Sequence, residues 1–468
     1  VARSITDEEK ACAAELLAKA RAAMKEIEAY DQARVDRLCQ AIGWAVGNEK
    51  TFTRLAQMGV DESGIGDREG RPAKRFKIQG ILRDVLRQRS VGVIEAIPEK
   101  GVVKYAKPVG VIASLIPMTN PALTPPGTAI FALKCKDAVI FSPHPHTQKT
   151  TFETVRIMRD MLKREGAPPD LLQCVEKASI PLAQELMAMC DLVMATGGPA
   201  MVKAAYSSGT PAFGVGPGNS TIVIDDTANI EEAARNTRIS KTSDFGSGCS
   251  ADGNLIVEAS IYDQFLAQLR AEGGYLASDE EKQLMEAVLW DEEGRRTLDT
   301  VAAPPQTIAA KAGFEVPAGS KFIIVKQKDI GQDHKFSGEK LCTVLALYKY
   351  DGFDHAIDMV KQIFEVGGKG HSCGIYSFDD DHIDRLARVA PVSRMMVRQP
   401  QSKANSGSFT NGMPMTSSLG CGTWGGNIIS ENVHLKHYMN VTWVSKPIAA
   451  DRPSEEVLFG EFYNTETY

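Results

Sequence analysis

From Val109 onward, short apolar runs alternate with segments of helical spacing: G-V-I-A-S-L-I-P, A-V-I-F-S-P, L-L-Q-C-V, D-L-V-M-A-T-G-G and T-I-V-I-D. Strands separated by helices cannot close as tight hairpins, so they pair in parallel through βαβ crossovers. A second series runs from Asn254 through K-F-I-I-V, L-C-T-V-L-A-L-Y, H-S-C-G-I-Y-S-F and S-R-M-M-V-R, broken by helical stretches near Tyr262, Leu284 and Ile357. With 468 residues, 43% of them hydrophobic, the chain exceeds the roughly 250–300 residues at which one core stops growing. The expectation is an α/β protein with two such units, the first Rossmann-like. No G-x-G-x-x-G follows the first strand, so a nucleotide has to be held in another way.

Other textures flank the two series. Thr6 and Glu9 have capping-box spacing ahead of an Ala/Leu/Lys-rich helical stretch to about Tyr30, and Asp31 to Val46 continues the helical pattern. Gly92 to Lys107 alternates around Pro98-Glu-Lys-Gly101 and reads as a hairpin, and Val433 to Val444 alternates again with the pattern of a strand that could pair with it. Exposed edges of that kind invite pairing with another chain, so a homodimer or homotetramer is expected.

The net charge of −6 is spread over interleaved acidic and basic residues, with no basic stripe. Nucleic acid and anionic membranes are therefore not expected partners. No apolar run approaches the roughly 20 residues of a membrane span, and V-A-R-S-I-T-D-E-E-K lacks a secretion-signal core, so a cytoplasmic enzyme is expected. Nine scattered cysteines contain no C-x-x-C pair and no zinc spacing, which argues against disulfides and metal.

Cys249, in K-T-S-D-F-G-S-G-C-S, lies beyond Gly246 and Gly248 and ahead of the β-branched strand Leu255-Ile256-Val257. Glycines there suit a tight turn with bare N–H groups, an environment that favours a thiolate nucleophile. The window alone also permits a buried, inert cysteine. Cys421 shares the glycine neighbours.

Eight motifs in order then identify a family. They are Ile116-Pro-Met-Thr-Asn-Pro121, Phe141-Ser-Pro-His-Pro145, Ala195-Thr-Gly-Gly-Pro199, Gly214-Val-Gly-Pro-Gly-Asn219, Phe245-Gly-Ser-Gly-Cys249, Gly338-Glu-Lys-Leu341, Gly368-Lys-Gly-His371 and Gly420-Cys-Gly-Thr-Trp-Gly-Gly-Asn427. The chain resembles the aldehyde dehydrogenase superfamily, and within it the coenzyme-A-acylating branch. The resemblance implies a dinucleotide-binding domain (1–96 and 109–222), a catalytic domain (223–432), and an oligomerisation arm with a C-terminal tail (97–108 and 433–468).

It also implies roles. Cys249 resembles the nucleophile and Asn120 the oxyanion donor. Ile116, Pro117 and Thr119, then Ser142, His144 and Pro145, Thr196, Gly197 and Gly198, and Gly216, Glu339 and Leu341 fall on the NAD(P)-binding side, with Glu339 like the carboxylate that holds the nicotinamide ribose. His371 resembles a histidine on the CoA side. Hydrolytic members carry a water-activating glutamate where this chain has Gly214, which favours transfer to CoA over hydrolysis. The activity implied is oxidation of a small aldehyde with NAD(P)+ and CoA to an acyl-CoA. The alternatives are a hydrolytic dehydrogenase and a catalytically silent nucleotide-binding subunit. Arg398, in Met395-Met-Val-Arg, is the expected anchor for an anionic substrate such as sulfoacetaldehyde. His146 and Lys149 leave NAD against NADP open.

Overall fold

The structure is a computed structural model and describes residues 3–463. The Thr6 hydroxyl accepts from the Glu9 N–H (3.2 Å) while the Glu9 carboxylate accepts from the Thr6 N–H (3.0 Å), closing the capping box that opens helix Asp7–Glu26. Asp31 caps Gln32–Gly47 through the Arg34 N–H (2.8 Å). That helix buries Val35, Leu38, Ile42 and Val46 and packs on helices Thr124–Lys134 and Gln148–Arg164. Every residue of Thr124–Lys134 is buried, as an all-round apolar helix requires.

In chain order the strands are β1 (Val93–Ile97), β2 (Val102–Pro108), β3 (Val111–Leu115), β4 (Ala138–Ser142), β5 (Leu172–Cys174), β6 (Leu192–Thr196), β7 (Ala212–Val215), β8 (Thr221–Ile224), β9 (Asn254–Glu258), β10 (Gly274–Leu276), β11 (Phe322–Lys326), β12 (Val344–Tyr350), β13 (Cys373–Tyr376), β14 (Met395–Val397) and β15 (Met439–Ser445). They form a parallel five-stranded sheet, β5-β4-β3-β6-β7, and a parallel seven-stranded sheet, β10-β11-β12-β9-β8-β13-β14. A third sheet, β1-β2-β15, is antiparallel and largely solvent-facing. Gly101 turns its hairpin at φ 63°, a conformation suited to glycine.

Two domain boundaries move. The run T-I-V-I-D reads as the close of the first series, but β8 pairs with β9 and β13 of the second sheet, so position 222 falls inside a strand. Position 96 falls inside β1, whose partner is β2 of the arm. Strand periodicity is the same on both sides of each crossing, so it cannot say which sheet a strand joins. Residues 1–2 and 464–468, the outer ends of the expected first domain and tail, lie outside the described residues.

The sheets meet end to end. In the five-stranded sheet the chain runs outward from β3 in one direction through β4 and β5, and in the other from β6 to β7, so the switch point lies between β3 and β6. Ligands of open parallel sheets bind beyond the carboxyl ends of strands at such a point. Gly216–Ser220 connects the carboxyl end of β7 to the amino end of β8, and so carries the chain from that crevice to the loops that precede β8, β9 and β13.

Candidate active site

Cys249 precedes β9, the middle strand of the larger sheet. Its loop turns through three consecutive left-handed residues, Asp244 (φ 50°), Phe245 (φ 51°) and Gly246 (φ 71°). A Cβ on Gly246 would lie 2.4 Å from the Cys342 carbonyl oxygen, so glycine is required there. Gly248 is different: its φ is not positive and the space around its Cα is open, so no turn demands it. Two non-glycine residues in the left-handed region cost of order 1–3 kcal/mol each and must be held by their surroundings. Asp244 supplies the hold. Its buried carboxylate accepts from Arg71 Nε (3.0 Å), Lys74 Nζ (2.7 Å), Ser247 Oγ (2.7 Å) and the Asp67 N–H (2.8 Å). Although burial raises its pKa, Lys74 and Arg71 win and hold it at about 2.

The Cys249 thiol faces His371, with Sγ 3.0 Å from Nε2. Nδ1 lies 2.8 Å from Ser372 Oγ, which also accepts from Asn405 Nδ2 (3.1 Å). Nδ1–H donation to Ser372 leaves the Nε2 lone pair aimed at the thiol. Arg394 locks the ring from behind, donating to the carbonyls of His371 (2.8 Å) and Gly420 (2.5 Å). Burial, aided by Arg394, pulls the His371 pKa down to about 3. Burial, with Glu339 and Cys421 adding to it, pushes the Cys249 thiol up to about 12. The resting pair is therefore neutral thiol and neutral imidazole. The expected thiolate favoured by open N–H groups is corrected: desolvation of the charged form outweighs the local dipoles.

Asn120 follows β3. Its Oδ1 accepts from Lys74 Nζ (2.7 Å), the same ammonium that holds Asp244, which leaves the amide NH2 as the donating end, with one contact to Thr119 Oγ1 (3.4 Å) and a second hydrogen to spare. Gly218 closes the site from the interdomain crossing: a Cβ there would lie 1.9 Å from the Cys249 carbonyl oxygen. A glutamate has no room at Gly214, where a Cβ would meet Val202 Cγ1 at 2.6 Å and Tyr206 Cε2 at 2.9 Å.

Glu339 accepts from the Gly218 N–H (3.1 Å) through Oε1, and burial raises its pKa to about 7. Beneath it, Lys340 Nζ donates to Asn254 Oδ1 (3.1 Å) and the carbonyls of Phe336 (2.5 Å) and Gly338 (2.7 Å), tying the Glu339 loop to β9. The remaining cofactor-side residues collect at the carboxyl edge of the smaller sheet. Ile116, Pro117 and Thr119 follow β3; Ser142, His144 and Pro145 end and follow β4; Thr196, Gly197 and Gly198 end and follow β6. Thr196 Oγ1 lies 3.0 Å from Ser418 Oγ, which joins that edge to the loop before Gly420. Gly216 packs on Cys421, its Cβ position 3.4 Å from the sulfur, and Leu341 holds a left-handed φ of 49°.

Arg398 is the correction in this set. It follows the carboxyl end of β14, stacks on the Phe378 ring (4.2 Å) and donates to the Ser377 carbonyl oxygen. His371 lies at the opposite, amino end of the neighbouring β13, so some five residues, about 16 Å of extended chain, separate the two positions. A guanidinium already stacked and bonded on that far edge does not reach an aldehyde at Cys249. Asp244, Lys74, Ser372, Arg394 and Asn405 escaped the sequence reading. Asp244 and Ser372 adjoin recognised motifs, whereas Lys74, Arg394 and Asn405 lie well away from any of the eight, and only the fold turns all five inward.

The sequence matches the model of the Aldehyde dehydrogenase family over residues 1–286. It is 43% identical over 450 residues to a sulfoacetaldehyde dehydrogenase from Acholeplasma sp, covering 95% of this chain and 93% of the relative. It is 39% identical to the succinate-semialdehyde dehydrogenase (acetylating) of Clostridium kluyveri, covering 95% and 98%. The fold superposes on the crystal structure of an acetylating aldehyde dehydrogenase from Geobacillus thermoglucosidasius with a TM-score of 0.92 at 34% identity, covering 96% of this chain and 99% of that one.

Proposed function

Since the chain belongs to the aldehyde dehydrogenase family, we propose that it is a CoA-acylating enzyme that converts a small aldehyde to an acyl-CoA through a thioester on Cys249. The observation that carries this reading is the 3.0 Å contact between Cys249 and His371 in a site where position 214 has no room for a water-activating glutamate. As Sγ bonds to the aldehyde carbon, His371 Nε2 takes the thiol proton, so that no free thiolate has to be buried beforehand. The oxyanion of the adduct is met by the Asn120 amide and the Cys249 N–H; one such donor is worth roughly 10²–10³ in rate. A nicotinamide cofactor, when bound, supplies the hydride acceptor that makes this step an oxidation.

The residues present fit that cofactor. The switch-point crevice is where a dinucleotide binds, Gly198 opens helix Pro199–Tyr206 with nothing within 4 Å of its Cβ position, and Glu339 spends one oxygen on Gly218 and keeps the other for ribose hydroxyls. After the first proton has passed to solvent, His371 can take the proton of an incoming CoA thiol as it attacks the thioester, and return it to the Cys249 sulfur as acyl-CoA leaves. A hydrolytic outcome lacks its base. NAD and NADP both remain compatible with His146 and Lys149, and sulfoacetaldehyde is the leading substrate because relatives across most of the chain carry that name.

The test is formation of reduced nicotinamide from propanal and from sulfoacetaldehyde, with and without CoA. Strict CoA dependence of sustained turnover is expected, and CoA-independent release of the carboxylic acid would overturn the reading. Association through the arm completes the proposal. β15 is an edge strand with Val441, Trp443 and Val444 exposed, and a dimer or tetramer would cover it. Among the described residues no helix is long and apolar enough to cross a membrane.

A further inference from the structure

Beside the Cys249 loop, cations outnumber anions. Arg71 and Lys74 both bond Asp244, and Lys403, whose Nζ bonds Ser243 Oγ at 2.8 Å, is drawn to the same carboxylate. Three positive side chains thus share one negative charge. Lys77 stands beside them, with its donors taken by the carbonyls of Ser406 (2.9 Å) and Gly407 (2.7 Å) and by Met415 Sδ (3.5 Å). Burial, with Arg71 beside Lys74 and Lys403 beside Lys77 adding to it against the pull of Asp244 and Asp84, lowers the pKa of both lysines. Packing like charges together without a counter-ion is unfavourable, and a chain keeps such an arrangement where an anion arrives to settle it.

The donors still free decide where that anion sits. An ammonium has three N–H groups. Lys74 uses two, on Asn120 and Asp244, and keeps one; Lys403 uses one, on Ser243, and keeps two. The Ser243 hydroxyl accepts from Lys403, and its own hydrogen is left to donate. Ser243 and Asp244 are adjacent, so the free donors of Lys403, Ser243 and Lys74 lie along one short stretch that ends at Asn120. Lys403 is at the exposed rim and Lys74 at the half-buried base.

We infer that Lys403 and Ser243, backed by Lys74, form the subsite that holds the anionic tail, sulfonate or carboxylate, of a short aldehyde whose carbonyl lies between Cys249 and Asn120. The inference rests on the acylating reading of the site and supplies what Arg398 does not. Lys403 follows Arg398 by five residues, and the helix Gln401–Ala404 brings the chain back to the cysteine side, where the Ser402 N–H donates to Ser240 Oγ (3.0 Å). Lys403 selects the substrate, and Lys74 also positions Asn120, so the two lysines differ in what their loss does.

The experiment compares kcat/KM for sulfoacetaldehyde and succinate semialdehyde with that for propanal, in the wild type and in Lys403→Gln, Lys403→Arg and Ser243→Ala. Lys403→Gln is expected to lower the anionic-to-neutral ratio roughly 10- to 100-fold, the range of a lost charged hydrogen bond, mainly through KM. Lys403→Arg restores most of it, Ser243→Ala gives a smaller fall, and ethanesulfonate competes with the anionic aldehydes more weakly in Lys403→Gln than in the wild type. An unchanged ratio in Lys403→Gln, or equal losses on charged and neutral aldehydes, overturns the subsite. The readings separate cleanly: CoA-dependent turnover of propanal without any preference for anionic aldehydes sinks the subsite alone, whereas absence of CoA dependence sinks the acylating reading.

Discussion

The neutral resting pair makes a sharp prediction about alkylation of Cys249 in the cofactor-free protein. With its thiol pushed up to about 12, the thiolate fraction at pH 7 is about 10⁻⁵, against about 0.03 for an ordinary cysteine of pKa near 8.5. That is a roughly 3,000-fold deficit. A more basic thiolate is intrinsically more nucleophilic, with a Brønsted slope of about 0.4–0.5. Over some 3.5 pKa units this returns roughly 30-fold, so Cys249 should react with iodoacetamide about 100-fold more slowly than a free thiol. The rate should rise tenfold per pH unit between about pH 7 and 10 without a plateau, because deprotonation lies above that window. The rate is read by quenched time courses and peptide mass mapping, so that label on Cys421 or Cys342 is counted separately. A plateau at or below pH 7 with rapid labelling would mean a thiolate–imidazolium ion pair, and would refute the argument that desolvation dominates. Filling the crevice with nicotinamide cofactor should change the rate, since it changes both the solvation of the thiol and the surroundings of Glu339, whose proximity adds to the shift.

Other consequences follow from the same geometry. His371→Ala should reduce both the first burst of reduced nicotinamide and CoA-dependent turnover by about 10²–10⁴, because Nε2 sits on the nucleophile itself; an unimpaired burst would confine the histidine to the CoA step. Asp244→Asn leaves Arg71 buried without a countercharge and should cost about 3–5 kcal/mol in denaturant unfolding, and a loss under 1 kcal/mol would remove Asp244 as the anchor of the loop. The sign of the linked pH effect is fixed by the depressed carboxylate: Asp244 stabilises the fold fully above about pH 4, and that contribution, about 2 kcal/mol, is lost as pH falls toward 2. Gly218→Ala places a methyl 1.9 Å from the Cys249 carbonyl oxygen and should abolish turnover, while a fully active variant would show that the crossing loop has room to move. Sedimentation at micromolar concentration should show a dimer or larger, and a monomer alone would leave β15 without its expected cover.

Periodicity carried the α/β class, because burial on both faces of parallel strands leaves unbroken apolar runs such as Phe322–Val325, and the helices between them keep their own spacing. Local chemistry carried the helix starts at Thr6 and Asp31, whose caps depend on residues no more than three positions away. The nucleophile and its glycine turn were legible for the same reason: Gly246 is demanded by backbone a few residues long. Arg398 and Lys403 show where that reach ends. Both are cations in one segment, and nothing in their spacing says that β14 carries the first to the far edge of the sheet while the next turn of chain returns the second to the cysteine. Likewise Lys74, which holds Asn120 within the first domain, reaches Asp244, 170 residues away, only because the first domain packs on the second. Sequence fixes what neighbouring residues can do to one another; the charge, desolvation and orientation of a site are set by groups distant in the chain, and those come together only when the two sheets meet.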